Sequence, residues 1–294
     1  MLRALMPSMR RPSAEQLAAL RPFERFAFEI ADTVNRRRGF KRVAHRFLET
    51  VGAGWVHLCT HRLLRVEGLE HLQGLDPDRG VVIVANHRSF FDLYVIASVM
   101  LRETQWIDGM YFPVRGEYFY ERPDGIAVNA LMSAWAMYPP ILRRPEARLF
   151  NEYTVDLMAE LLSRRGTVVG MHPEGTRGKG PDPYTLLPAQ PGIGQMVHRA
   201  RPIVLPVFIL GLGNDLKRQV LGNFDGTGDP VTLQFGPPVA LDRLFAAPAR
   251  LRTYKQIADH LREVLVELGA RDRAFRARHG LPHVGAADLD RGAA

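Results

Sequence analysis

Residues 81–92 read Val81-Val82-Ile83-Val84-Ala85-Asn86-His87-Arg88-Ser89-Phe90-Phe91-Asp92. Five apolar residues run without a spacer into a polar turn. Residues 167–178 repeat the form, Thr167-Val168-Val169-Gly170-Met171 leading into His172-Pro173-Glu174-Gly175-Thr176-Arg177-Gly178. Short unbroken apolar runs of this kind suit strands buried on both faces of a parallel sheet. If the two strands are parallel, both polar clusters face one edge of the sheet, and the carboxyl ends of strands are where open α/β sheets bind ligands.

The pattern continues outward from these two stretches. Further strands are expected over 63–67, 106–114, 136–142, 202–210 and 231–235, with the two central ones spanning 80–85 and 166–172. Helical length and spacing occupy 92–102, 116–134, 146–164 and 192–201, and a last helix is expected over 254–268. The alternation predicts an α/β fold, a mostly parallel or mixed sheet flanked by helices, with an N-terminal helical hairpin. The expected organisation is a basic amphipathic segment over 1–61, a main domain over 62–275 and a flexible tail over 276–294.

The 294 residues are 46% apolar and 24% charged, the composition of a globular chain with a sizeable core. Cys59 is the single cysteine, which excludes an intrachain disulfide framework and argues for a reducing compartment. The longest uncharged run, 125–142, is interrupted by Asn129, Ser133 and Pro139-Pro140, so no membrane span is expected. The arginines and proline of the first sixteen residues do not suit a secretory signal.

The net charge of +8 has one source. Residues 1–65 hold 13 basic and 5 acidic side chains, whereas the remainder holds 26 of each. Helices expected over 13–34 and 40–64 carry Phe23, Phe26, Phe40, Phe47 and Trp55, and Arg36, Arg37, Arg38, Lys41, Arg42 and Arg46 cluster at their junction. Apolar aromatic faces beside such a cluster suit an anionic phospholipid surface, giving an expected place at the cytoplasmic side of the membrane, peripherally attached. The alternative is a hairpin packed on the main domain with a solvated basic edge. Nucleic acid is not an expected partner, because no zinc finger, ribonucleoprotein signature or basic zipper accompanies the charge.

His87 and Asp92 can meet if His87 lies on the turn and Asp92 in the first turn of the following helix. The carboxylate then holds one imidazole nitrogen and leaves the other basic, the geometry of a general base for a hydroxyl. The turn Glu174-Gly175-Thr176-Arg177 sets a carboxylate, a hydroxyl and a guanidinium together and suits an anion. No G-x-S-x-G elbow or H-E-x-x-H pair is present, so neither a serine hydrolase nor a metal site is expected. Tyr111, Phe112, Tyr118, Phe119 and Tyr120 fit either a channel for an acyl chain or core.

Taken together, the two clusters resemble the NHxxxxD and EGTR blocks of the glycerolipid acyltransferase family typified by 1-acylglycerol-3-phosphate acyltransferase. The resemblance spans about 62–240 and includes two lesser blocks, Tyr138-Pro139-Pro140-Ile141-Leu142-Arg143-Arg144 and Ile203-Val204-Leu205-Pro206-Val207. It implies that His87 is the base, oriented by Asp92, and that no acyl-enzyme forms. It implies that Glu174, Gly175, Thr176 and Arg177 hold the acceptor, with Arg143 or Arg144 as a second cation on its phosphate. Asn86, Ser89 and His172 would support the site. The donor would be an acyl-CoA or acyl carrier protein thioester as co-substrate, with no bound cofactor, and the acceptor a lysophospholipid, first among them 1-acylglycerol 3-phosphate, giving phosphatidate. The same chemistry on another lysophospholipid, a lyso-aminolipid or glycerol 3-phosphate is the nearest alternative, and a non-catalytic lipid-binding protein of this fold is a further one. The chain departs from the family in lacking an acid before Arg143, and in carrying Gln190-Pro191-Gly192 where many members have Lys-Gly.

Overall fold

A computed structural model describes residues 9–282 and 284. Its N-terminal part comprises α1 (Ala14–Ala18), α2 (Pro22–Arg36), α3 (Arg38–Phe47), a π-helical turn (Leu48–Gly52) and α4 (Ala53–Leu58). There follow β1 (Leu64–Glu67), α5 (Leu69–Gln73), β2 (Val81–Ala85), α6 (Asp92–Glu103), β3 (Gly109–Tyr111) and β4 (Val114–Arg115). The middle of the chain forms α7 (Gly116–Phe119), α8 (Pro123–Ser133), β5 (Pro140–Ile141), α9 (Arg148–Leu162) and β6 (Thr167–Met171). The last third adds α10 (Pro191–Ala200), β7 (Ile203–Leu210), α11 (Leu216–Asp225), β8 (Val231–Phe235), α12 (Asp242–Phe245) and α13 (Leu251–Arg278).

Six strands form one sheet in the order β1-β8-β7-β2-β6-β3, parallel at every pairing except β7 with β8. β4 and β5 make a separate parallel pair. Every residue of β2 is buried, and β2 has parallel neighbours on both sides, which is why its sequence shows no polar alternation. The register sets Val84 opposite Met171, so the turns that follow β2 and β6 leave the sheet side by side.

Proline decides where the expected helices break. Pro22 and Pro123 each occupy a helix start, where a missing N–H costs nothing. The helices expected over 13–34 and 116–134 are therefore each split in two. The strand expected over 106–114 is reduced to β3 and β4, and that over 136–142 to β5. α5, α11 and α12 had no counterpart in the sequence reading.

The N-terminal helices pack on the body. Phe28 of α2 is buried, edge-on to Phe150 at 5.0 Å and stacked with Tyr138 at 6.0 Å between centroids. Burying a ring of that size contributes roughly 2–3 kcal/mol. Ser98 of α6 donates to the Ala53 carbonyl, and Lys41 of α3 donates to the Met110 carbonyl of β3. The outward face of α3, the π turn and α4 still exposes Phe40, Val43, Phe47, Val51 and Trp55. Residues 276–278, expected in a flexible tail, are the end of α13, and Arg276 is buried with its guanidinium on Thr232 and the Leu210 and Pro230 carbonyls. The rest of that tail, apart from 279–282 and 284, lies outside the described residues. No helix among the described residues is long and apolar enough to cross a membrane.

Candidate active site

The site begins where β2 ends. Asn86 extends the ladder by its side chain, donating from Nδ2 to the Ile209 carbonyl and accepting from Ile209 N, both at 2.8 Å. This spends Asn86 on β7 and turns the next residue, His87, off the sheet edge. Asp92 sits in the first turn of α6, where its carboxylate is favoured by the helix N-terminus. Its Oδ2 accepts from Arg88 N at 2.8 Å, Ser89 N at 2.9 Å and His87 Nδ1 at 3.0 Å. A carboxylate here accepts, so the imidazole proton lies on Nδ1 and the lone pair on Nε2. Ser89 Oγ donates to the Gly213 carbonyl and is fully buried.

From β6, His172 stacks on His87 with 3.8 Å between ring centroids and 6° between planes. Its Nδ1 donates to the Ala85 carbonyl at 3.0 Å. Burial depresses both imidazoles to about 3, reinforced at His87 by Arg177 and Arg115 and at His172 by His87 itself. Burial pushes Asp92 the other way, up to about 6, against His172, the backbone donors of Ser89 and Arg88, and Arg177. At neutral pH the pair is therefore a carboxylate holding an uncharged imidazole, with Nε2 unprotonated.

His87, Asp92 and His172 offer three ligand atoms within 4.8 Å of one another. Stacked rings confine their lone pairs to two parallel planes, however. A single ion at about 2.1 Å from a nitrogen of each would lie far out of both ring planes. The trio suits proton chemistry better than coordination.

Glu174 is buried, and both its oxygens are committed to backbone: Oε1 to His87 N at 3.0 Å and Oε2 to Leu187 N at 2.7 Å. Desolvation raises its pKa, with those two donors opposing. The expected acceptor contact of Glu174 is thus replaced by a brace that ties the two motif turns together. Gly175 has φ +64, the left-handed conformation that favours glycine, and its carbonyl accepts from Arg115 at 2.9 Å and Arg143 at 3.0 Å. Arg177 donates from Nη1 to Asn214 Oδ1 at 2.8 Å.

A cavity of ≈ 520 Å³ opens beside His87. Its buried lining is apolar, with Met137, Met158, Ile193 and Met196, and its accessible lining is cationic, with Arg115, Arg143, Arg177 and Lys179. Gly175, Thr176 and His172 also line it. Of the expected aromatics, Tyr118 and Phe119 face the cavity, while Tyr120 is bonded to the Met137 carbonyl in the core and Tyr111 lies under Lys41.

Arg144 departs from expectation. It makes a 2.5 Å ion pair with buried Glu24 of α2 and donates to the Ala19 carbonyl, facing the N-terminal helices. Adjacent residues of an extended segment point to opposite sides, and here Arg143 takes the cavity side. Sequence reading also missed Arg115, Lys179 and Asn214. Arg115 stands one strand over from Ile141 in the β4–β5 pair, a placement that only the fold reveals.

Residues 63–210 match the model of the family named Acyltransferase. No curated protein matches the chain by sequence. Among solved structures, the 1-acyl-sn-glycerophosphate (LPA) acyltransferase PlsC from Thermotoga maritima is similar in fold, with a TM-score of 0.50 and 18% identity. The alignment covers 82% of this chain and 86% of that one.

Proposed function

The chain belongs to the acyltransferase family, and from that premise we propose that it moves a fatty acyl group from a thioester to the free hydroxyl of a lysophospholipid, with 1-acylglycerol 3-phosphate as acceptor and phosphatidate as product. The observation that carries this reading is the His87–Asp92 pair set beside a cavity that is apolar where buried and cationic where accessible. A long acyl chain needs the first surface and a phosphate the second. The solved structure of similar fold bears the name of an LPA acyltransferase, which agrees with that choice of acceptor.

In this mechanism Nε2 of His87 takes the acceptor's hydroxyl proton while the oxygen attacks the thioester carbonyl. Collapse of the tetrahedral intermediate breaks the carbon–sulfur bond, and the imidazolium returns its proton to the departing thiolate. Asp92 keeps the imidazole in the Nδ1–H tautomer and balances its transient charge. Arg177, Arg143 and Arg115 receive the phosphate. Acyl-CoA or acyl carrier protein supplies the acyl group, and the chemistry needs no resident cofactor.

The exposed Phe40, Val43, Phe47, Val51 and Trp55, spaced at helical intervals among Arg37, Arg38, Arg42 and Arg46, support attachment to an anionic membrane surface on the cytoplasmic side. Acyl transfer from labelled acyl-CoA to lysophosphatidate in anionic vesicles tests the whole reading. Wild type should form phosphatidate and His87→Ala should not. Label on a different lipid would change the acceptor, and lipid binding without transfer by wild type would make the protein a binder. Failure to float with anionic liposomes would remove the membrane role.

A further inference from the structure

Arg177 is oriented by a residue that belongs to neither motif. Asn214 lies between β7 and α11, one position before Asp215, the N-cap of α11. Its Oδ1 accepts from Arg177 Nη1 at 2.8 Å and from Phe90 N at 3.0 Å. Both partners are pure donors, so the atom between them must be the amide oxygen. One oxygen thus joins the turn after β2, the turn after β6 and the loop after β7.

The loop that presents Asn214 is itself fixed. Gly211 has φ +103, and a Cβ there would come within 2.2 Å of the Pro230 carbonyl oxygen. The Gly213 carbonyl accepts from Ser89 Oγ at 2.8 Å, and Gly213 N donates to Gln219 Oε1 at 3.2 Å. The position of Asn214 is therefore dictated from both sides of the site.

Its chemistry matters as much as its place. The neighbouring carboxylates have their closest bonds elsewhere: Glu174 on two backbone N–H groups, Asp92 Oδ2 on His87, Arg88 N and Ser89 N, and Asp215 on Arg218 N. An amide oxygen can hold a guanidinium in place without supplying a negative charge to compete with an incoming anion. A carboxylate at the same position would make the bidentate contact that a phosphate would otherwise make.

Building on the acceptor reading above, we propose that Asn214 is a positioning residue for Arg177, holding its guanidinium at the cavity without adding a negative charge that would compete with a phosphate-bearing ligand. Prior orientation spares the ligand the cost of ordering a long, many-rotamer side chain. Asn214 touches Arg177, not the reacting atoms, so its effect falls on acceptor affinity.

The test uses the full chain and inorganic phosphate as probe, followed by titration calorimetry. Asn214→Asp keeps an acceptor oxygen for Phe90 N and so preserves the fold, and Asn214→Ala removes that oxygen. Both variants should bind phosphate at least fivefold more weakly than wild type. In an Arg177→Ala background, adding Asn214→Asp should change binding by less than twofold, the non-additivity of residues acting through one group. With lysophosphatidate in vesicles, Asn214→Asp should raise KM at least fivefold and change kcat by less than threefold. Phosphate binding by Asn214→Asp within twofold of wild type overturns the proposal and leaves the acceptor reading standing. Wild type that binds no phosphate, or binds it no better than Arg177→Ala, overturns both.

Discussion

The imidazole of His172 lies face to face with that of His87, 3.8 Å away and 6° from parallel. The register of β2 with β6 causes this, since it sets residue 172 beside residue 85 and lets the Ala85 carbonyl hold the His172 ring. Two imidazolium ions at such a distance repel by about 4 kcal/mol at an effective dielectric near 20. The stack therefore admits one charge, and of the two rings that line the cavity it is His87 whose Nδ1 is held by Asp92, while the Nδ1 of His172 is held by the Ala85 carbonyl.

His172→Phe retains a flat ring against His87 and loses the bond to Ala85. Turnover is expected to fall by less than about tenfold, since the base keeps its support. His172→Ala leaves the His87 ring free to tilt, and misplacement of a reacting group by about 1 Å costs up to about 100-fold. Steady-state kinetics of the two variants give the comparison, and an alanine variant as active as wild type contradicts the argument.

The pH dependence should come from Asp92. Burial holds His87 at about 3, so the base is uncharged well below neutrality, whereas Asp92, raised to about 6, loses its charge as the pH falls through that value. Activity is expected to decline below about pH 6. Asp92→Asn should lower turnover by roughly 100- to 10,000-fold and move the remaining acid limb to lower pH. A limb that stays in place in this variant would assign it to another group.

Neighbouring arginines should give opposite phenotypes. Arg144→Ala leaves Glu24 buried without its cation and is expected to cost about 3 kcal/mol of stability, with little change in acceptor KM for the folded protein. Arg143→Ala should raise acceptor KM and leave the melting temperature nearly unchanged. Thermal melts and kinetics on both variants separate the roles.

Lys41 links stability to pH. Its Nζ reaches Asn35 Oδ1 at 2.8 Å and the Met110 carbonyl at 3.0 Å and lies 3.9 Å from the Tyr111 ring centroid. Burial lowers its pKa from 10.5 to about 7. Between those values the unfolded chain holds a proton that the native chain has released, so native stability gains from this group as pH rises from about 7 toward 10.5. Melting temperatures at pH 7 and pH 9 should show that gain in wild type, and Lys41→Met should reduce it.

β2 and β6 were legible because burial on both faces makes their runs predominantly apolar, without polar alternation, and because each ends abruptly in a polar turn. The juxtaposition of His87 with Asp92 followed from the spacing of a turn and a helix start. Helix α11, Leu216–Asp225, was not legible, because its stability is tertiary. Asn223 bonds to the Leu58 carbonyl and to Arg62 N, and Gly222 packs so closely on Gly228 that a Cβ would come within 2.6 Å. Glu174 could not be read correctly from its motif, since a carboxylate spent on two backbone N–H groups looks in sequence like one available to a ligand. Arg115 and Asn214 reach the cavity only through pairings that are distant along the chain.

One peptide unit separates Arg144, which grips Glu24 on α2, from Arg143, which grips the Gly175 carbonyl at the cavity rim. Two consecutive side chains thus tie α2 and the Gly175 turn to the segment that follows β5. The helical N-terminal part and the motif turn are therefore fastened to one and the same short stretch of chain, so loss of either arginine releases one attachment and leaves the other in place.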